Sequence, residues 1–412
     1  MNTPTGMRAF TAIWLGQVVS LLGSAMTWFA FTIWAWQKTG QITALSTISF
    51  FAFLPTVLFT PIAGTLVDRW NRKLVMLFSD LASAAGTLAA LILFLTDNLQ
   101  IWHIYIIGIL AGFFTAFQYP AYAAAVSTML PKEQYARAEG MLGLATAFSG
   151  ILAPVFAASL LGRIGITGIM VIDLLTFLAA FGTLLWVRIP KPITTDVGRA
   201  SRGSLWQETR FGFRYIRARK SLLALVGLFM AANVFLAIGA TLLAPLILSG
   251  TGNNQSALAT VQSMGAIGGV VGGGLLSLWG GPRRRIHAIL LGGAGASLLG
   301  IVWLGLGRAV LVWAIGSFFF SFFEPFVEGG NLAIWQAKVE ADVQGRVFAA
   351  RHLLVQVPYL LGIFVSGYIA EAWNISSVFV LAGTCGLLVF LAGYIFRNVR
   401  AVESILPDAP SR

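Results

Sequence analysis

Apolar residues gather into twelve stretches, each close to the about 20 residues a helix needs to cross a hydrocarbon core. They cover 10–36, 43–67, 74–96, 101–128, 138–162, 166–188, 221–249, 256–280, 286–307, 309–335, 351–372 and 376–397. Polar and turn-forming residues separate them, among them Asp97-Asn98, Pro131-Lys132-Glu133, Gly250 to Asn254, Gly280-Gly281-Pro282 and Asn374. The runs are too long for strands and lack the alternation of a barrel wall. The pattern predicts an all-α membrane protein of twelve transmembrane helices. The run that follows Arg8 exceeds the roughly 7–15 apolar residues of a cleaved signal, so it reads as a retained first span.

Twelve spans place both termini on one side of the bilayer. Of the 27 Lys and Arg residues, 24 then fall on that side and only Lys38, Arg163 and Arg308 on the other. Positive charge marks the cytoplasmic face, so the expectation is a multi-pass protein of the plasma or inner membrane with cytoplasmic termini. Composition agrees: 58% of residues are hydrophobic and 10% charged, against about 25% charged in soluble domains. The net charge of +12 is then a topology signal, and no nucleic-acid partner is expected. The single cysteine, Cys385, excludes an intramolecular disulfide. His103, His287 and His352 lack ligand-like spacing, so no metal is expected. No G-x4-G-K-[ST] loop occurs, and no cofactor or enzyme activity is indicated.

The longest loop, Pro190 to Lys220, follows the sixth span. It divides the chain into a bundle over 1–189, a partly helical linker over 190–220, a second bundle over 221–398 and a tail over 399–412. Within the linker, Leu205, Trp206, Phe213 and Ile216 share one sector of a helix beside Arg210, Arg214 and Arg217, while Phe211 and Tyr215 fall elsewhere. This segment is either an interfacial helix or a basic linker lying against anionic lipid. The halves echo one another: Gly64 and Gly274, Arg137 and Arg346, and Pro120 and Pro325 recur at nearly one interval. Internal duplication is a mark of secondary transporters.

Between the second and third runs stands Gly64-Thr65-Leu66-Val67-Asp68-Arg69-Trp70-Asn71-Arg72-Lys73. This resembles the signature loop of the major facilitator superfamily, G-x-L-x-D-R-x-G-R-[RK], with Asn71 in place of the second glycine. Asparagine also tolerates a left-handed backbone, so the turn is expected to survive. An aspartate among basic residues at a helix end can pair with arginine and with a helix N-terminus. Gly64, Asp68, Arg69, Arg72, Lys73 and, a turn or two further, Asp80 are therefore candidates for a conformational latch; the alternative is simple positive-inside topology. In the fifth run Gly140, Ser149, Ala153-Pro154 and Ala157-Ala158 resemble a degraded form of the family's antiporter motif, with Pro154 expected to bend the helix. Asp80, Phe117-Gln118-Tyr119-Pro120 and Gly345-Arg346-Val347 are most similar to the drug:proton antiporter-3, macrolide-efflux-like branch. That resemblance implies two six-helix pseudo-symmetric bundles, alternating access, and a chain that works as a monomer without cofactor.

Ionisable groups in hydrocarbon cost at least about 2.5–3.5 kcal/mol each. Glu324 and Glu328 lie one turn apart on one face of the tenth run, and paired acids can share a proton. Glu324, Glu328 and Asp173 are the proton-coupling candidates; a neutral packed Glu324, or one paired with an arginine such as Arg351, is the alternative. Gln17, Trp28, Phe29, Asn233, Gln262, Asn331, Gln336 and Gln356 are candidates to line a cavity for an amphipathic small molecule. Export of a drug-like compound is the leading expectation, secretion of an endogenous metabolite such as a siderophore the alternative, and a membrane enzyme or sensor the third reading.

Overall fold

The computed structural model describes residues 6–67, 70–187, 189, 205–340 and 343–403. Among these every regular element is helical. Eleven helices are long and apolar enough to cross a membrane. One of them, Arg137–Trp186, has 50 residues. At about 1.5 Å per residue that is roughly twice the hydrocarbon thickness. It is broken at Gly165, where φ is 64° and ψ −177°, a backbone that glycine adopts without a Cβ clash. Two spans therefore share this stretch, which makes twelve among the described residues.

In chain order the helices are α1 (Gly6–Thr39), α2 (Ile42–Val67), α3 (Arg72–Leu95), α4 (Ile101–Met129), α5 (135–164) and α6 (166–186). After the linker come α7 (Leu205–Ala218), α8 (Lys220–Gly250), α9 (Gln255–Trp279), α10 (Arg285–Leu306), α11 (Val310–Lys338), α12 (Gln344–Ala372), α13 (Ile375–Ile395) and the short α14 (Arg397–Arg400). Most ends lie within a few residues of the apolar runs. The exception is α12, which starts seven residues before its run. Val347 and Ala350 are wholly buried there, so packing carries the helix past the end of the apolar pattern. Leu278 is 91% exposed and Ile395 81%, a cost in water that lipid removes.

The chain divides into two compact units. The first holds Met1–Gly40 and Ile48–Arg202, and the second Gln41–Thr47 and Gly203–Arg412. In the first, Phe10, Ile13, Met76, Phe117, Val126 and Leu184 form a shared core. Small residues let its helices approach closely. A Cβ on Gly16 or Gly23 of α1 would meet Thr183 Oγ1 at 2.4 Å or Thr176 Oγ1 at 2.2 Å, both on α6. Lipid supplies no hydrophobic drive between helices, so this dispersion packing matters more there.

In the second unit, Gly268 and Gly272 of α9 meet the carbonyls of Phe318 and Phe322 on α11, each 2.1 Å from where a Cβ would stand. The two units also repeat one polar anchor. Arg72 at the start of α3 donates to Ala124 O at 2.7 Å, and Arg285 at the start of α10 donates to Ala333 O at 3.0 Å.

The linker helix differs from the sequence expectation. Its buried side carries Gly212, Tyr215 and Ile216, while Arg210, Arg214 and Arg217 are exposed. Tyr215 and Ile216 join the core of the second unit with Leu222, Trp335 and Val347. Tyr215, which falls outside the apolar sector, and Ile216, which belongs to it, both pack on protein. The side chains of Leu205 and Trp206 lie outside the described residues.

Candidate functional site

The signature loop joins α2 to α3. Asp68 and Arg69 lie outside the described residues, and Gly64 is in the last turns of α2 with open space around it. Asn71 does not take the left-handed backbone expected of it. Its φ of −73° and ψ of 109° are extended, and its side chain accepts from the N–H groups of Lys73 and Leu74. Asparagine thus acts as an N-cap of α3, satisfying donors that a glycine would leave to water. Lys73 donates to Val187 O at 2.8 Å and Leu185 O at 3.0 Å, placing positive charge at the carbonyl end of α6.

Asp80 faces away from that basic loop. It is 6% exposed, and its partners are two amides: Gln17 donates to Oδ2 at 2.9 Å and Gln118 to Oδ1 at 2.6 Å. Asp80 is thus held in an α1–α3–α4 clasp rather than by the basic loop, because it looks inward on α3 while Arg72 and Lys73 engage carbonyls elsewhere.

Two helical turns along, the arrangement recurs with different chemistry. Asp173 on α6 is 4% exposed. Ser24 donates to its Oδ1 at 2.9 Å and Thr87 to its Oδ2 at 2.8 Å. Gly23, next to Ser24, has only 3.1 Å between its would-be Cβ and Asp173 Cα, so the missing side chain admits the acid. Thr27, Trp28, Ser83 and Gly86 line the same small cavity, and no Lys or Arg does. A buried carboxylate without a counter-charge is costly and is the kind of group at which a cation or proton is exchanged.

In the second unit the two glutamates of the tenth span part company. α11 is interrupted at Phe323, so Glu324 opens its second segment. Both glutamates are exposed. Glu328 stands 3.8 Å from Arg351, whereas no described Lys or Arg pairs with Glu324.

The candidate cavity residues scatter. Gln17 and Trp28 sit with the two buried acids, while Phe29 is packed in the core at 5% exposure. Asn233 donates to Val355 O at 3.1 Å, joining α8 to α12. Asn331 is wholly buried with neither amide atom bonded. Gln262 and Gln356 are half-buried on α9 and α12, and Gln336 is exposed near the end of α11. Pro154 is buried within α5, and the non-helical residue of that stretch is Gly165.

Sequence reasoning missed Ser24, Thr27 and Thr87. A signal was present: Gln17 and Ser24 on α1, and Asp80 and Thr87 on α3, are polar residues seven apart in apolar spans. That spacing puts each pair on one helix face.

Residues 13–362 match the Major Facilitator Superfamily. The chain is 30% identical over 403 residues to macrolide efflux protein A of Streptococcus pyogenes, covering 96% of this chain and 97% of that one. Against macrolide efflux protein A of Enterococcus faecalis the identity is 29% over 322 residues, covering 77% and 98%. The crystal structure of the POT family transporter PepTSo shares the fold, with a TM-score of 0.70 over 97% of this chain and 99% of that one at 12% identity.

Proposed function

The chain belongs to the Major Facilitator Superfamily, as a multi-pass membrane transporter and not an enzyme, and from that premise we propose that it exports amphipathic small molecules by alternating access, driven by proton antiport. The observation that carries the coupling is Asp173, buried among α1, α3 and α6 with hydroxyl partners alone. Such an acid is stable when neutralised and destabilised when bare, so its occupancy couples to the global conformation. Glu324 is the second proton site, free of the arginine that engages Glu328. The similarity to macrolide efflux proteins over nearly the whole length supports an outward direction and a macrolide-like cargo.

On this reading both termini are cytoplasmic and the protein is a plasma- or inner-membrane monomer. Gly64, Asp68, Arg69, Arg72 and Lys73 then form the cytoplasmic latch, with the Asp80 clasp steadying α3 behind it.

Inverted membrane vesicles test this. With a pH gradient imposed, a macrolide or an amphipathic dye is expected to accumulate, and collapsing the gradient is expected to stop it. Accumulation that ignores the gradient refutes proton coupling, and none under any gradient refutes export of this class.

A further inference from the structure

We propose that the Asp173 cavity is a binding site for a single sodium ion. Two features distinguish it from the Asp80 clasp. The first is the donor set. Asp80 is held by N–H groups of two glutamines, which satisfy a carboxylate but offer a cation nothing from the nitrogen. Asp173 is surrounded by hydroxyls, from Ser24, Thr27, Ser83 and Thr87. A hydroxyl carries a donor and two lone pairs on a freely turning bond. The groups that now donate to the carboxylate can rotate and present oxygen to a cation.

The second feature is Thr27. It is 2% exposed and lies beside the Asp173 carboxylate, close enough to interact with it but short of a well-formed hydrogen bond. Buried hydroxyls are almost always fully bonded, so a weakly engaged one on the cavity wall keeps lone pairs to offer an occupant.

Size and charge select the ion. The space open to a water-sized occupant is about 10 Å³, room for one such particle beside the carboxylate. Apart from the Trp28 indole, its polar side chains carry hard oxygens, which suit alkali and alkaline-earth ions rather than zinc or copper. One carboxylate balances one positive charge, and no second Asp or Glu lines the space, which disfavours Mg²⁺ and Ca²⁺. K⁺ needs a wider cage than Na⁺. Gly23 holds α1 close against α6 beside that carboxylate, where a Cβ would stand 3.3 Å from Asp173 Oδ1.

All of these residues lie in the first unit, and ion binding does not depend on what is exported; Na⁺ and the proton of the antiport reading would occupy the one Asp173 carboxylate in turn. The purified full-length protein in detergent is the material for the test, in NaCl, KCl or choline chloride at equal ionic strength and neutral pH. Radioactive ²²Na⁺ is expected to bind saturably at one ion per chain, and Na⁺ alone is expected to raise the melting midpoint. Asp173→Asn is expected to abolish both effects. Thr27→Val keeps shape and charge and is expected to weaken ²²Na⁺ binding about tenfold, or ~1.4 kcal/mol; it decides the matter if Asp173→Asn does not fold. Equal midpoints in Na⁺ and choline with no retained ²²Na⁺ would leave a water in the cavity and overturn the proposal. An equal response to K⁺, or binding that survives in Thr27→Val unchanged, overturns it as well. Gradient-driven export in vesicles stands or falls separately.

Discussion

The guanidinium of Arg351 stands 3.8 Å from the carboxylate of Glu328, with side-chain exposures of 16% and 59%. Arg351 also lies over the Trp335 ring, 5.5 Å from its centroid. One turn earlier, Glu324 has no described cation beside it, so two acids that share a helix face have different electrostatic duties. Because Glu328 is more than half exposed, its ion pair contributes no more than about 1 kcal/mol. Glu328→Gln is therefore expected to lower the melting midpoint slightly and to leave efflux intact. Glu324→Gln is expected to leave the midpoint unchanged and to abolish pH-driven efflux. Vesicle efflux and thermal unfolding of both variants check this, and the reverse pattern would transfer the coupling role to Glu328.

The glycine contacts make a prediction about folding. At Gly268 a methyl group would stand 2.1 Å from Phe318 O and 2.8 Å from its carbonyl carbon. Backbone cannot yield as a side chain does, so Gly268→Ala must separate α9 from α11 and is expected to cost about 1–3 kcal/mol. Gly143 on α5 has nothing within 4 Å of its would-be Cβ. There alanine is expected to stabilise the helix by up to about 1 kcal/mol. Melting midpoints of the purified variants should move in opposite directions; a loss in both would mean that the Gly143 face is covered in the membrane.

The twelve spans were legible because hydrocarbon dictates how long an apolar helix must be, and the basic loops reinforced the count. What lay beyond reach was set by tertiary contact. Asp80 is near Arg72 and Lys73 in sequence, but the face it occupies on α3 turns it to Gln17 and Gln118. Asn71 was read as a glycine substitute, whereas its side chain does work a glycine cannot, capping α3. The break between the fifth and sixth spans, by contrast, was legible: the apolar runs stop at 162 and resume at 166, and Gly165, with φ 64°, is where α5 gives way to α6. Asp173 was recognised as out of place in an apolar run. Its partners were not, since Ser24 and Thr87 are unremarked small polar residues until α1, α3 and α6 come together.

Lys73 offers a test of how the first unit closes its last helix. Its ammonium donates to two carbonyls at the end of α6, at 2.8 and 3.0 Å. A charge-assisted bond is worth about 1.5–3 kcal/mol. Lys73→Met retains the stem and removes the charge. Amide exchange in the last turn of α6 is expected to accelerate at least tenfold, about 1.4 kcal/mol, with α1 and α4 unaffected. Unchanged exchange at 183–187 would show that solvent replaces the lysine without cost.

The linker helix is fastened by three side chains. The Tyr215 hydroxyl donates to Glu340 Oε2, Arg219 Nη2 lies 3.4 Å from Glu340 Oε1, and the Arg219 guanidinium covers the Tyr215 ring 3.4 Å from its centroid. Burial, with the acceptor Glu340, pushes the Tyr215 hydroxyl up to about 12. The donated hydroxyl in turn holds the Glu340 carboxyl below its ordinary range. The signs follow from linkage. A lowered carboxyl stabilises the fold above its unfolded value, near pH 4.3, and that contribution fades as pH falls through the depressed value. A raised phenol stabilises it below about pH 10, and that contribution fades as pH climbs toward the raised value. The melting midpoint of the native protein minus that of Tyr215→Phe is therefore expected to be largest around neutral pH and to shrink toward both extremes. With Glu340 52% exposed, the acid limb should be the shallower one. A difference that stays level from about pH 3 to pH 11 would mean that Tyr215 contributes by packing alone. Gly212→Leu separates docking from titration. Its side chain would collide with Arg346 O, 2.3 Å from the Cβ position, and is expected to lower the midpoint at every pH.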